Sequence, residues 1–236
     1  MSTAVVTGAG SGVGRAVALK FAAEGWSVAL VGRRGEPLAE TIALADPTAH
    51  SRLAPFLCDV SAPDAVTAMG TAVAERFGDV DVLVNSAGMN VRQRSFEALS
   101  LDDWHAVLAT NLHGAYYCVQ AFLPRMRARR SGTIININSD VGKVARDLAG
   151  PAYVSSKFAL SGLTQQINAE ERRNGVRACS ICPRDINTPL LDKRPTPPSA
   201  EARARMMQPE DLADCVWLVA NMPPRAIIEE IDLTSR

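Results

Sequence analysis

The sequence predicts an α/β fold, in which a parallel sheet of about seven strands is doubly wound and carries helices on both faces. Two observations lead to this prediction. Short runs rich in β-branched residues alternate with segments of helical periodicity along all 236 residues. These runs are apolar throughout, which is typical of strands that are covered on both faces. Because no internal repeat or flexible linker is visible, residues 1–236 are expected to form a single domain.

Seven strands and six helices are predicted, joined by right-handed crossovers. The predicted strands are Thr3–Thr7, Val28–Val31, Leu53–Leu57 (the weakest), Val80–Val84, Thr133–Ile137, Val176–Ile181 and Ile227–Leu233. The predicted helices are Val13–Glu24, Leu38–Ala45, Pro63–Phe77, Leu101–Arg129, Tyr153–Asn174 and Pro209–Asn221. Three prolines interrupt the alternation within Leu191–Ala200, which is therefore expected to form an ordered loop or lid.

The composition argues against several classes of function. Lys and Arg together number 25, as do Asp and Glu, so a balanced charge gives no reason to expect a nucleic-acid or membrane-surface partner. No apolar run approaches the roughly 18 residues that a membrane span requires. With a first strand expected at Thr3, we predict no signal peptide, and the odd number of cysteines, five, favours reduced thiols in the cytoplasm.

Two of the cysteines form a C-x-x-C pair, which elsewhere indicates a metal or redox site. Cys179 and Cys182 fall within a predicted buried strand, where residues three apart point to opposite faces of the sheet. Buried packing is therefore expected for both thiols. The three histidines lie far from them in sequence, so no metal site is predicted.

A glycine-rich turn joins the first predicted strand to the first helix. Its sequence is Thr7-Gly8-Ala9-Gly10-Ser11-Gly12-Val13-Gly14. Side chains at such a turn would block the approach of phosphates, whereas a helix N-terminus offers free N–H donors and a partial positive charge. The turn therefore predicts a dinucleotide site on a Rossmann-like fold.

The end of the second strand bears on the choice of dinucleotide. An acidic residue at this position bonds the ribose hydroxyls of NAD, whereas an arginine accommodates the 2′-phosphate of NADP. Here Gly32 is followed by Arg33 and Arg34. NADP(H) is therefore favoured and NAD(H) remains possible, since these arginines would also suit a solvated loop.

Tyr153 and Lys157 are four residues apart on a predicted helix, so the phenol and the ammonium lie on one face. A proton donor with a cationic neighbour, downstream of a dinucleotide site, indicates hydride transfer to a carbonyl or from an alcohol. The Lys157 ammonium and the oxidised ring of a bound dinucleotide are together expected to lower the pKa of the phenol.

Several separated motifs together resemble the compact short-chain dehydrogenases/reductases, over nearly the whole chain. Besides the glycine turn and the Tyr–Lys pair, the motifs are Cys58-Asp59-Val60, Asn85-Ser86-Ala87-Gly88, Asn111, Ser139 and the Pro183–Thr188 segment. Ser86 replaces a second asparagine of the family pattern. The chain also lacks the Gly-Gly segment that many members carry after the last strand.

The resemblance implies a catalytic set of Asn111, Ser139, Tyr153 and Lys157. Tyr153 would exchange the proton, Ser139 would bond the substrate oxygen, Lys157 would hold the nicotinamide ribose, and Asn111 would anchor a water that leads to solvent. The expected cofactor contacts are Gly8, Gly10, Ser11, Gly12, Val13, Gly14, Arg33, Arg34, Asp59, Val60, Asn85, Ala87, Gly88, Tyr153, Lys157, Pro183, Arg184, Ile186 and Thr188.

Arg184 departs from the pattern, because a glycine is expected between Pro183 and the rest of that segment. Glycine beside a ligand permits close backbone approach or a conformation that other residues avoid. Arginine is therefore expected either to crowd the nicotinamide site and weaken cofactor binding or turnover, or to project into the substrate cleft as a cation.

The loop 140–152 and the proline-rich lid are expected to line a cleft for a small-molecule carbonyl or alcohol substrate. Arg94, Lys143 and Arg146 would make this cleft cationic, or would simply be solvated; the cluster Arg125–Arg130 is expected to be a solvated helix end. The resemblance implies a homo-oligomer, tetramer or dimer, formed through helices 101–129 and 153–174. The predicted activity is NADPH-dependent carbonyl reduction, with an NAD-dependent alcohol dehydrogenase and a catalytically impaired cofactor-binding or scaffold protein as alternatives.

Overall fold

A computed structural model describes every residue from Met1 to Arg236 and contains one sheet of seven parallel strands. The predicted fold class is thereby confirmed. The strands are β1 (Thr3–Thr7), β2 (Ser27–Gly32), β3 (Leu53–Leu57), β4 (Val82–Asn85), β5 (Gly132–Ile137), β6 (Val176–Pro183) and β7 (Glu230–Leu233). The helices are α1 (Gly12–Ala23), α2 (Gly35–Leu44), α3 (Pro63–Phe77), α4 (Leu101–Leu108), α5 (Gly114–Arg129), α6 (Pro151–Glu171), α7 (Ala200–Ala204) and α8 (Pro209–Ala220).

The strand order is β3-β2-β1-β4-β5-β6-β7, so the direction of winding reverses between β1 and β4. In register, Val5 of β1 lies between Ala29 of β2 and Leu83 of β4. The connections that leave β1 and β4 run to opposite sides, which opens a crevice at the carboxyl ends of these two strands. That crevice positions the site described below.

Two hydrophobic cores cover the two faces of the sheet. One packs α1, α2 and α8 against it and includes edge-to-face contacts of Phe21 with Trp26 and Trp217. The other packs α3, α5 and α6 and contains fully buried side chains such as Leu83 and Ile134. Burial on both faces explains why the strands are apolar throughout. No helix is long and apolar enough to cross a membrane.

The structure changes the bounds of several predicted elements. The predicted helix 101–129 contains a π-helical turn, Ala109–His113, between α4 and α5. The last strand begins at Glu230 rather than Ile227, and the helix that carries Tyr153 begins two residues earlier, at Pro151. The proline-rich stretch is irregular as predicted, between a 3-10 turn at Pro189–Lys193 and α7.

The basic cluster at the end of α5 is largely exposed, as predicted for a solvated helix end, and three of its arginines are also ion-paired. Arg125 contacts Asp79 at 3.0 Å, and Arg129 contacts Asp81 at 3.1 Å. Arg127 pairs with the buried carboxylate of Glu171. These acidic partners come from other parts of the chain, so the helix sequence by itself did not reveal them.

The two cysteines of the C-x-x-C pair are free and buried in β6, which confirms the packing prediction. Burial raises the pKa of the Cys179 thiol to about 12. Both are therefore protonated at neutral pH and poorly reactive.

Candidate active site

A cleft of about 1680 Å³ lies along the carboxyl ends of the strands. Segments that follow six of the strands line it: the glycine turn after β1, Arg33 and Arg34 after β2, Ser86 and Gly88 after β4, Ser139 after β5, Arg184 after β6, and Thr234 after β7. Ligands of open parallel sheets bind at this edge. The cleft is therefore the candidate active site.

The glycine turn needs its glycines for two physical reasons. Gly8 and Gly12 have φ values of +68° and +51°, a region that other residues rarely adopt. A Cβ on Gly14 would lie 2.3 Å from the carbonyl oxygen of Gly8, so α1 packs directly on the turn. Gly10 packs on α2 instead and does not line the cleft.

The N-terminus of α1 is open toward the cleft. Ser11 occupies the N-cap position, but its side chain makes no capping hydrogen bond, and the first turn holds no acidic residue. The N–H donors of this turn are thus left for an anion, and the helix dipole favours one there.

Arg33 and Arg34 are exposed, line the cleft and have no hydrogen-bond or ion-pair partner for their guanidinium groups. Asp59 lies nearby: its carboxylate accepts hydrogen bonds from the Ser61 amide at 3.0 Å and hydroxyl at 2.7 Å. These bonds to Ser61 chiefly lower the pKa of Asp59, and the charge of Arg33 lowers it further. Asp59 itself does not line the cleft.

Thr7 anchors the segment after β4. Its hydroxyl oxygen accepts hydrogen bonds from the amides of Ser86 and Ala87, both at 3.0 Å. Asn85 donates to the side-chain oxygen of Asn136 at 2.9 Å inside the sheet. These bonds fix Gly88 at the wall of the cleft, whereas Asn85 and Ala87 lie behind that wall, beside Val60.

Three of the four predicted catalytic residues meet in the cleft: Ser139 at the end of β5, and Tyr153 and Lys157 on the first turns of α6. The ammonium of Lys157 lies 5.5 Å from the centre of the Tyr153 ring and donates to the carbonyl of Ile137 at 2.8 Å. The Ser139 hydroxyl donates to Asp140 at 3.2 Å. The arrangement places a hydroxyl, a phenol and an ammonium around one space.

A family profile described as short chain dehydrogenase matches residues 2–198 of this chain. The chain belongs to this family. It is 37% identical over 204 residues to a 3beta-hydroxysteroid dehydrogenase of Mediterraneibacter gnavus, an alignment that covers 86% of this chain and 71% of the relative. It is 38% identical to the short-chain reductase protein NovJ of Streptomyces niveus, with 93% and 87% covered.

A solved structure shares the fold over the whole chain. The alcohol dehydrogenase of Thermococcus sibiricus, complexed with 5-hydroxy-NADP, superposes with a TM-score of 0.88 at 29% identity, covering 100% of this chain and 97% of that one. The protein is therefore a short-chain dehydrogenase/reductase, an NAD(P)-dependent oxidoreductase that acts on hydroxyl or carbonyl groups.

The phenol of this short-chain dehydrogenase has a raised pKa rather than the lowered one that the sequence led us to expect. Burial raises the pKa of Tyr153 to about 12, an effect that outweighs the lowering by the neighbouring Ser139 hydroxyl. Asp140 raises it further, and the cations that lower it are Arg94 and Arg194. Tyr153 is protonated at neutral pH, as a phenol with its ordinary pKa would also be.

Asn111 lies in the π-helical turn, is 2% exposed, and sits behind the cleft rather than in its lining. Its side-chain oxygen accepts from the Met89 amide at 2.8 Å. Its nitrogen donates to the Met89 carbonyl at 2.9 Å and to Ser156 at 3.2 Å. The side chain thus secures the segment after β4 against α6, and its water-anchoring role stays a prediction.

Arg184 lines the cleft, which includes both the glycine turn and the Tyr153 region, so both outcomes expected for it stay predictions. Its φ is not positive, so the backbone is not strained by the loss of glycine. The amide of Arg184 donates to Leu233 at 3.0 Å, and its Nε lies 3.4 Å from Asp140. Pro183, Ile186 and Thr188 line the cleft beside it, and a Cβ on Gly12 would lie 3.2 Å from Thr188. A weakening effect on the cofactor stays a prediction.

Of the other cations expected at the cleft, Lys143 and Arg146 are exposed and ion-paired, and only Arg94 and Arg146 line the cleft. Lys143 pairs with Glu230 at 2.6 Å and Asp232 at 2.7 Å, and Arg146 pairs with Asp140 at 2.8 Å. Arg94 is buried. Sequence reasoning placed Thr7 in the glycine turn and Asp140 in the loop 140–152. It did not predict that Thr7 holds the segment after β4 or that Asp140 pairs with Arg146 and Arg184.

The pKa of Lys157 leads to a prediction about pH. Burial lowers this pKa from its ordinary 10.5 to about 8. Lys157 therefore loses its proton at a lower pH than an ordinary lysine does. Its ammonium is present below about pH 8 and is lost above that pH. The catalytic efficiency for NADPH in ketone reduction, which reports the cofactor-free enzyme, should therefore fall above about pH 8.

The measurement is kcat/KM for NADPH between about pH 6 and pH 10. Lys193→Gln removes an exposed lysine of the same cleft and should keep the wild-type profile. A profile that stays level to pH 10 would contradict the assignment.

Proposed function

We propose that this protein is an NADP(H)-dependent carbonyl reductase that reduces a small ketone or oxoacyl-type substrate to an alcohol. The observation that carries the proposal is that Ser139, Tyr153 and Lys157 face the same cleft as an open, glycine-lined helix N-terminus. A ketone at this edge of the sheet would meet a proton donor and a dinucleotide site together.

Ser139, Tyr153 and Lys157 each have a separate role in the proposed reduction. When bound, the nicotinamide supplies the hydride. The Ser139 hydroxyl hydrogen-bonds the carbonyl oxygen and stabilises the negative charge that develops on it. The Tyr153 phenol, which is protonated at neutral pH, donates its proton to that oxygen. The Lys157 ammonium lowers the energy of the phenolate that remains, and solvent returns the proton.

The cofactor is proposed to bind along the cleft from the glycine turn to α6. The residues proposed to hold it are Gly8, Gly10, Ser11, Gly12, Val13, Gly14, Arg33, Arg34, Asp59, Val60, Asn85, Ala87, Gly88, Tyr153, Lys157, Pro183, Arg184, Ile186 and Thr188. The open N-terminus of α1 suits the pyrophosphate. The two unpaired arginines after β2 suit a 2′-phosphate. A relative in complex with 5-hydroxy-NADP supports the same choice.

The double variant Arg33→Ala/Arg34→Ala is expected to weaken NADPH binding by about 10- to 100-fold, because two charge-assisted contacts to the 2′-phosphate are lost. NADH lacks this phosphate, so its affinity should change by less than about 2-fold. Titration of the intrinsic tryptophan fluorescence with each dinucleotide measures both affinities.

Arg225→Ala, at an exposed arginine outside the cleft, is the matched control and should bind both dinucleotides as the wild type does. An equal loss of affinity for NADH and for NADPH would mean that the two arginines only maintain the conformation of the loop. Unchanged NADPH affinity would mean that they are solvated, and would favour the NAD-dependent alcohol dehydrogenase.

A panel of ketones assayed with NADPH and with NADH tests the whole proposal. Turnover with NADPH supports it, whereas oxidation of alcohols with NAD alone favours the alternative dehydrogenase. Dinucleotide binding without any turnover would favour an impaired, cofactor-binding role, for which Arg184 and Ser86 are the sequence support.

We also propose a homo-oligomer, a dimer or tetramer, in the cytoplasm. Tyr116 on α5 is 46% exposed and Phe158 on α6 is 44% exposed, and large exposed apolar groups on neighbouring helices suit an interface between copies. Light scattering during gel filtration measures the mass of the particle, and a monomer would contradict the proposal.

A further inference from the structure

Arg94 is a buried cation in the wall of the active-site cleft. It lies in the irregular segment between β4 and α4, is 8% exposed, and shares the cleft with Ser139 and Tyr153. Taking a charge out of water is costly unless a counter-charge compensates it. The partners of Arg94 therefore matter.

All of its hydrogen-bond partners are backbone carbonyls. Nε donates to Val91 at 2.6 Å, Nη1 to Leu148 at 3.4 Å, and Nη2 to Lys193. A guanidinium has five N–H groups, so one remains on each terminal nitrogen. Carbonyls satisfy hydrogen bonds without neutralising the charge, which stays uncompensated.

Arg177 shows what a purely structural arginine looks like in this protein. Its three nitrogens make six hydrogen bonds, one to the Thr133 hydroxyl and five to carbonyls at and after the end of α8. It has no donor to spare, and it does not line the cleft. Arg94 differs in both respects.

None of the carboxylates that line the cleft is bonded to Arg94, and several of them have other partners. Asp140 is shared by Arg146 and Arg184, and Asp185 pairs with Arg194. The carboxylate of Asp147 accepts from the Leu148 amide. None of these carboxylates pairs with Arg94, so its two remaining N–H groups are available to an anion in the cleft.

The charge of Arg94 acts on the reacting group. Together with Arg194 it lowers the pKa of the Tyr153 phenol, against the larger effect of burial. Arg94 also lines the same cleft as Tyr153 and Ser139, so one bound molecule can contact all three residues.

We propose that the substrate carries a carboxylate, which Arg94 binds, so that the enzyme interconverts an oxo acid and the corresponding hydroxy acid. This rests on the proposed carbonyl reductase function. The carboxylate would accept the two remaining N–H groups and neutralise the buried charge. It is unchanged in the reaction: the ketone carbon gains the hydride, the oxygen gains the proton of Tyr153, and the nicotinamide is oxidised.

The test compares 3-oxo-, 4-oxo- and 5-oxohexanoate with their methyl esters as substrates with NADPH. The wild type is expected to show kcat/KM at least about 10-fold higher for one of the acids than for its ester. Arg94→Gln should remove this preference by lowering the value for the acid at least about 10-fold while the ester changes less than about 3-fold. Arg94→Lys should retain part of the preference.

Arg52→Gln is the matched control. Arg52 also donates to two carbonyls, those of Thr48 and Ala22, but it lies outside the cleft, so its loss should leave the preference intact. Equal values for acids and esters in the wild type would overturn the proposal. An equal fall in kcat/KM for the acids and the esters in Arg94→Gln would also overturn the proposal, because Arg94 would then only hold the loops together.

A binding measurement keeps the inference testable without turnover and without the variant. In the presence of NADPH, hexanoate should raise the melting temperature of the wild type and hexanamide should not. Stabilisation by both or by neither would overturn the carboxylate site. Failure to reduce any ketone, with hexanoate still selectively bound, would overturn the proposed reductase function and leave the anion site standing.

Discussion

Replacing Tyr153 by phenylalanine is expected to lower kcat for ketone reduction by about 10³-fold, the largest functional loss that we expect from any single substitution in this protein. The substitution removes one oxygen atom and keeps the ring that packs beside Lys157. No other phenol lines the cleft. The Ser139 hydroxyl is ordinarily far too weak an acid to replace it, so the transition state would lack a proton donor.

NADPH affinity should change far less than kcat in Tyr153→Phe, by less than about 10-fold, because the substitution removes only one of the proposed cofactor contacts and leaves the glycine turn and the N-terminus of α1 untouched. Tyr116→Phe removes the same atom from an exposed tyrosine on α5 and should turn over as the wild type does. Steady-state rates and fluorescence titration measure the two effects separately. Ketone turnover at an undiminished rate in Tyr153→Phe would refute the assignment of the proton donor.

Replacing Gly14 by alanine is expected to destabilise the fold by about 2–3 kcal/mol and to abolish tight dinucleotide binding. Two effects compete at this position. Alanine in place of glycine within a helix contributes about 1 kcal/mol of stability. The added Cβ, however, would lie 2.3 Å from the Gly8 oxygen and 3.1 Å from the Ala9 nitrogen, both backbone atoms that cannot rotate away. The helix must therefore move off the turn, and the clash outweighs the propensity.

Gly162→Ala provides the control for helix propensity. Gly162 is exposed on α6, and a Cβ there would meet nothing within 4 Å. It should stabilise the protein by about 0.5–1 kcal/mol and leave NADPH binding unchanged. Thermal unfolding should show the midpoint of Gly14→Ala lowered by roughly 4–12 °C and that of Gly162→Ala slightly raised. A Gly14→Ala protein with wild-type midpoint and NADPH affinity would show that the turn and α1 are not in close contact.

The elements that were predictable share a local cause. The strand at Thr3–Thr7, the glycine turn after it and the helix from Pro63 to Phe77 follow from short runs of apolar, glycine or proline residues, and the structure has them at or within a residue or two of the predicted bounds. The π-helical turn at Ala109–His113 was not predictable in this way. The sequence of this turn keeps the periodicity of an ordinary α-helix, so it gives no sign of the change. The hydrogen bonds that Asn111 makes there reach Met89 and Ser156 in other segments, which a local pattern does not show.

The pKa values of the site residues were less predictable than the identity of these residues. The spacing of Tyr153 and Lys157 placed both on one face of α6, and the structure brings them to the cleft with Ser139. Their pKa values, about 12 and about 8, depend on how deeply α6 is covered. Depth of burial is a property of packing, and no local pattern in the sequence encodes it.

By itself, the sequence determined the alternation of strands and helices and the position of the glycine turn, and it placed Tyr153 and Lys157 on one face of a helix, because each of these depends on residues close together in the chain. Only the tertiary structure decided that Arg94 is a buried cation without a carboxylate partner, that Asp140 is shared by Arg146 and Arg184, and that Arg127 pairs with Glu171. These contacts depend on which loops and helices meet once the sheet has formed. The tertiary structure determines which charges are paired, because the energy of a cation depends on all the groups around it and on its distance from water.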